Sequence, residues 1–122
     1  MGQLKVKRVY EAAAPDDGVR ILVDRLWPRG ISKEKAQLTD WCKSVAPSTE
    51  LRKWFGHDAA KFAEFRDRYV AELNANPDAD AFRERVLGLL HDGDVTLLFG
   101  AKDVEHNNAV VVKEWLSEKM AG

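Results

Sequence analysis

Hydrophobic and polar positions change period twice along the chain, and the changes divide it into elements. Leu4-Lys5-Val6-Lys7-Arg8-Val9-Tyr10 alternates apolar with basic residues, the period of a strand with one wet face. Ala14-Pro15-Asp16-Asp17-Gly18 carries turn chemistry, and Val19 to Asp24 follows as a second, more buried strand. A β-hairpin between these two strands is the economical expectation. Trp27-Pro28-Arg29-Gly30 ends regular structure, because Pro28 disfavours helix at Trp27 and Gly30 permits a bend.

From Ser32 to Leu90 the period becomes helical. Ser32 is expected to cap a helix that carries Leu38, Trp41, Cys42 and Val45 on one face and stops at Pro47. Ser48 or Thr49 caps a short helix with Leu51, Trp54 and Phe55 together. Asp58 caps a third with Phe62, Phe65, Tyr69 and Leu73 inward, and Asp78 or Asp80 a fourth with Phe82, Val86, Leu89 and Leu90 inward. Gly93 suits a left-handed position past that helix. Val95-Thr96-Leu97-Leu98-Phe99 then reads as a strand buried on both faces, parallel to the second. Asn107 or Asn108 caps the last helix, anchored by Val112, Trp115 and Leu116. The expected fold is a single α/β domain over residues 1–122. Its sheet is mostly parallel and three-stranded or slightly larger, with an N-terminal hairpin and about five helices packed on it.

Length and composition agree with one folded domain: 122 residues, 45% hydrophobic and 32% charged. Nineteen basic and twenty acidic residues nearly cancel, which argues against a general nucleic-acid coat. The balance is local, however. Residues 1–35 hold eight basic and five acidic groups, whereas residues 72–105 hold three and eight. The N-terminal third is therefore the place to look for an anion-binding patch, against the simpler reading of a dipolar, soluble surface. A single cysteine, Cys42, requires no oxidising compartment, residues 1–7 lack a signal-peptide core, and no apolar run approaches the ~20 residues of a membrane span. A cytoplasmic protein with no membrane partner is the expectation.

Ligands of open α/β sheets bind beyond the carboxyl ends of the strands. Two such ends are dense in polar residues: Asp24-Arg25-Leu26-Trp27-Pro28-Arg29-Gly30 and Gly100-Ala101-Lys102-Asp103-Val104-Glu105-His106-Asn107-Asn108. Arg25, Arg29, Lys102 and the last helix N-terminus, with Asn107 and Asn108, form a candidate binding set for a phosphate- or carboxylate-bearing small molecule. The leading expectation is a small enzyme acting on a nucleotide-like or phosphorylated substrate, with Asp24, Asp103 and His106 the candidates for proton transfer. Each has a plainer reading beside it. Asp24 is equally a salt-bridge partner of Arg25, Arg29 or Lys102, His106 a solvated surface residue, the two asparagines caps, and Trp27 a loop anchor. A second cluster, Ser48 to Asp58, places Ser48, Arg52 and His57 either over the same crevice or on the wet face of an amphipathic helix.

Other chemistries find less support. Cys42 sits on an apolar stripe, and no His-Glu-x-x-His, Cys-x-x-Cys, Gly-x-Ser-x-Gly or glycine-rich phosphate fingerprint is present, so neither metal nor cofactor is expected. A non-catalytic module for nucleic acid or an acidic protein, using the basic N-terminal strand and Arg52-Lys53-Trp54, is the rival reading.

Three stretches also carry a resemblance. Val23 to Lys33, Ala46 to His57 and Glu105-His106-Asn107-Asn108-Ala109 resemble, in order, the YeaO-like branch of the uncharacterised DUF 488 family. The resemblance implies a compact α/β domain of bacteria and archaea with no established biochemical activity. The broader family looks to carry a cysteine in the strand-end loop before its last helix. This chain has Gly100-Ala101-Lys102-Asp103 there and departs from that pattern.

Overall fold

The computed structural model describes residues 2–121. Four strands, β1 (Leu4–Arg8), β2 (Val19–Leu22), β3 (Asp40–Trp41) and β4 (Val95–Phe99), form one sheet in the order β1-β4-β2-β3. All three pairings are parallel. Five α-helices accompany them: α1 (Lys33–Ala36), α2 (Thr49–Phe55), α3 (Phe62–Ala75), α4 (Pro77–Asp92) and α5 (Asn108–Ala121). The α/β class and the parallel relation of β2 to β4 are those expected.

The N-terminal hairpin is not formed. Leu4 and Val19 both face Val95, so β4 inserts between the first two strands and makes both run parallel to it. The cause is β4 itself, buried at every position. A strand apolar on both faces belongs in the sheet centre, with a partner at each edge. The chain therefore returns from Arg8 to Val19 through a crossing loop. Lys7 Nζ pins that loop, donating to the Ala12 carbonyl at 2.8 Å and pairing with Asp17 at 3.1 Å. At its end Gly18 has φ of 65°, and a Cβ there would stand 2.0 Å from the Asp94 carbonyl oxygen, so only glycine fits.

The expected helix from Ser32 to Val45 breaks after one turn. Ser32 caps α1 by accepting from Lys35 N, but Gln37 turns left-handed at φ 46°. Asp40 and Trp41 then join the sheet as β3, because β2 would otherwise keep unpaired groups at its outer edge. Thr39 N donates to Arg20 O at 2.8 Å and Cys42 N to Leu22 O at 2.9 Å. The stripe that looked helical is split: Trp41 packs edge-on against Trp27, 5.4 Å between centroids, while Val45 enters the main core. Two smaller expectations also change. Asn76, not Asp78 or Asp80, caps α4, its side chain accepting from Asp78 N, and Gly93 is extended rather than left-handed.

The two sheet faces are covered differently. Ile21, Val23, Val95, Leu97 and Phe99 face the layer of α2 to α5, which contributes Phe65, Tyr69, Val86, Val112, Trp115 and Leu116. Leu22 and Leu98 face the other way, onto Val9, Ala36, Trp27, Ile31 and Trp41. That second face is roofed by loops and α1 alone. A buried ion pair holds the roof down: Arg20, 4% exposed, lies 2.5 Å from Asp17, 5% exposed, and its guanidinium also donates to the Ala36 carbonyl.

Burial raises the Asp17 carboxyl, but the Ala14 N–H, Lys7 and Arg20 outweigh it and hold it below the usual carboxylate range. A carboxyl depressed in the folded state stabilises the fold above its unfolded pKa and loses that contribution as pH falls through the folded one. We predict that stability falls as pH drops below about 4. Arg20→Ala should cost ~1–3 kcal/mol in urea unfolding at neutral pH, since it leaves the buried Asp17 with only Lys7 and the Ala14 N–H. A loss under ~1 kcal/mol would show that the pair does not hold the roof.

Candidate functional site

Because β2 and β4 are parallel neighbours, the loops after them open at the same sheet edge. Tyr10, at the end of β1, donates its hydroxyl to the Arg29 carbonyl at 2.6 Å and ties the β2 loop to the sheet. Arg8 donates to the Ala101 carbonyl at 2.8 Å and so holds the β4 loop. Between them lies a cavity of about 560 Å³. Residues 24–29 form one wall, and residues 100–103 with Asn107 and Asn108 form another. Pro47, Arg52, Phe55, His57 and Phe65 close the third side.

Asp24 stands at the sheet side of this space. Its Oδ2 accepts from Gly100 N at 2.8 Å and its Oδ1 from Asn108 Nδ2 at 3.0 Å. Asn108 also donates to the Val23 carbonyl, so one amide group fixes both the strand end and the carboxylate. Gly100 permits this approach: a Cβ there would meet Asp24 Oδ2 at 3.2 Å. Burial pushes the Asp24 carboxyl up, and the donors Asn108 and Gly100, with the charge of His57, offset only part of that. The salt-bridge reading is not what the structure contains, for among the described residues Asp24 has no ion-pair partner.

The cationic candidates line the cavity in different ways. Arg25 is half strut, donating Nε to the Pro47 carbonyl at 3.0 Å and Nη2 toward that of Ala46. Arg29 and Lys102 are exposed on opposite loops. Arg52 rises from α2, and its buried Nε meets no acceptor among the described residues. His57 follows Gly56 in a left-handed bend, φ 59° and 54°, which leaves its exposed imidazole on the cavity wall.

Four further candidates have local duties. Asp103 Oδ1 accepts from the Glu105 and His106 N–H groups, and its Oδ2 meets His106 Nδ1 at 2.9 Å. Those bonds, led by the one from Glu105, hold its carboxyl below the usual range. His106 does not line the cavity; its ring stands edge-on to Phe62 at 5.1 Å. Ser48 is also outside the lining, capping α2 while donating its hydroxyl to Glu72 at 2.6 Å. Asn107 caps α5 by accepting from Val110 N at 3.0 Å.

Sequence reasoning missed the apolar part of the site. Tyr10, Leu26, Phe55 and Phe65 line the cavity, and Phe55 and Phe65 stack at 4.2 Å. Phe55 sits between the singled-out Arg52 and His57, so adjacency was the available signal. Phe65 looked like any core position of α3. Cys42 is elsewhere, beside Asp40 and Arg85, and burial with the Asp40 charge pushes its thiol up to about 11. Among the described residues no three His, Cys, Asp or Glu side chains gather in a way that could hold a metal ion, and no helix is long and apolar enough to cross a membrane.

The two carboxyls at the cavity should titrate apart. Native Asp24 keeps its proton to higher pH than the unfolded chain does, so its ionisation opposes folding as pH rises; Asp103 has the opposite sign. In a carboxyl-carbon NMR titration we expect Asp24 to ionise above, and Asp103 below, the ordinary aspartate value of about 3.9. Coincident titrations would mean that Asp24 is solvated rather than enclosed.

Comparison with known proteins places this arrangement in a group. Residues 3–122 match the family model described as "Inactive DUF488-N3 subclade". The chain is 43% identical over 113 residues to the uncharacterized protein YeaO of Escherichia coli K12, covering 93% of this chain and 96% of that one. It is 42% identical over 115 residues to the uncharacterized protein Rv3073c of Mycobacterium tuberculosis H37Rv, covering 94% of each. No solved structure matches. With the model spanning nearly every residue and YeaO aligned along almost its full length, the chain belongs to the DUF488-N3 family, in its YeaO-like branch.

Proposed function

We propose that the protein is a binding module without catalysis of its own, which holds a phosphate- or carboxylate-bearing small molecule in the cavity at the carboxyl ends of β2 and β4. One observation carries this reading: the cations of the cavity lack carboxylate partners. Arg20, Arg66, Arg68, Arg83 and Arg85 each face an acidic side chain. Arg25, Arg29, Arg52 and Lys102 line one cavity, and among the described residues none of them is in an ion pair. Like charges gathered between low-dielectric walls repel one another and focus a positive potential, which a bound anion relieves. An unpartnered Arg52 Nε adds to that cost in the empty site.

The same geometry weakens the case for proton transfer by Asp24, Asp103 and His106. General acid–base catalysis needs a titrating group within reach of the ligand. Both oxygens of Asp24 are taken by neutral donors, Asp103 is committed to its own turn, and the His106 ring lies against Phe62. The family description, which carries the word inactive, points the same way. We assign the protein to the cytoplasm, a setting that suits its one free thiol.

Calorimetric titration with inorganic phosphate at low ionic strength tests the reading. Binding should weaken about threefold or more in Arg29→Gln and in Lys102→Gln, each a removed charge-assisted contact. Both side chains are exposed, so Tm should stay within about 2 °C of the parent. Phosphate that fails to bind, or binds these variants unchanged, contradicts the anion site. Hydrolysis of p-nitrophenyl phosphate abolished by Asp24→Asn would contradict the absence of catalysis.

A further inference from the structure

The cavity has a polarity that inorganic phosphate does not exploit. Its helix side is apolar, where Phe55 and Phe65 stack, 5% and 1% exposed, and its sheet side holds the enclosed Asp24 carboxyl. Arg29 and Lys102, the exposed cations, lie on loops that reach away from the strand ends. A small, strongly hydrated anion gains nothing from stacked rings and is repelled by Asp24 when that group is ionised. It would also leave most of the space empty. About 560 Å³ lies within the ordinary range for sites of much larger organic ligands, whereas phosphate has five non-hydrogen atoms.

A second observation lies at the mouth. Leu26 lines the cavity and is 59% exposed, one of the few large apolar side chains left in water. Arg29, an exposed cation of the same loop, lines the cavity with it. Most of a typical ligand site is apolar, with a few polar groups that fix orientation, and a volume of this size is ordinary for one.

Resting on the anion-binding reading above, we infer that the ligand is an organic anion with a flat apolar body, its charged head among the rim cations and its body between Leu26 and the Phe55–Phe65 wall. Affinity then comes from two sources that can be separated. The head is recognised by charge and weakens with salt. The body is recognised by removal of apolar surface from water and is indifferent to salt.

Titrations of the full-length protein with inorganic phosphate, phenyl phosphate and benzoate test this. Phenyl phosphate should bind at least tenfold more tightly than inorganic phosphate, and benzoate should compete with it. Leu26→Ser, a change at an exposed position, should weaken phenyl phosphate threefold or more while leaving inorganic phosphate unchanged. Arg29→Gln should weaken both, and unchanged amide spectra away from the cavity verify that each variant is folded. Equal affinities for phosphate and phenyl phosphate, or a Leu26→Ser variant that binds phenyl phosphate like the parent, overturn the inference and leave the anion reading standing. If neither compound binds, both fall together.

Discussion

A strand that is buried at every position must be paired along both edges and covered on both faces, and Val95–Phe99 imposes those four demands on the rest of the chain. Its edges take β1 and β2, both parallel, which removes the hairpin that local turn chemistry favoured. One face receives the helical layer and the other the loop roof clamped by Asp17 and Arg20. Its carboxyl end delivers Gly100 to Asp24, so the constraint that organises the core also sets the floor of the cavity.

Electrostatics then divide the molecule into satisfied and unsatisfied parts. Over the helices and the crossing loop, several cations meet carboxylates: Arg85 with Asp40, Arg66 with Glu114, Lys7 with Asp17. At the carboxyl edge the cations that line the cavity meet carbonyls at most, as Arg25 does with Pro47, and none faces a carboxylate among the described residues. Asp24, at the cavity floor, accepts hydrogen bonds from Gly100 and Asn108 rather than facing an arginine. That choice of partners leaves the cavity arginines without a carboxylate among the described residues. It also spares a buried ion pair, whose desolvation cost often exceeds its attraction.

Much of this was legible in the residues, for identifiable reasons. Long periodic stretches, α3 and α4, and the unbroken apolar run of β4 announced their type because burial repeats over many positions. Ser32, Ser48 and Asn107 announced helix starts because capping is local chemistry. Pairing was less visible. Whether β1 meets β2 or β4, and whether Asp40–Trp41 leaves a helix for a sheet edge, depends on backbone groups far away in sequence that need partners. Of the site, the charged loops could be found because their residues are adjacent in the chain. Phe65 could not, since a core phenylalanine on α3 and a cavity wall have the same sequence pattern. His106 looked equally fit for the floor and for the surface until its ring was found against Phe62.

The central claim is that cations without carboxylate partners at the carboxyl edge of the sheet hold a bound anion. A crystal structure with tungstate, located by its anomalous signal, tests it most directly. The account predicts a peak inside the cavity, within hydrogen-bond distance of at least two of Arg25, Arg29, Arg52 and Lys102. An empty cavity with those side chains folded onto Asp24 or Asp103 would contradict it.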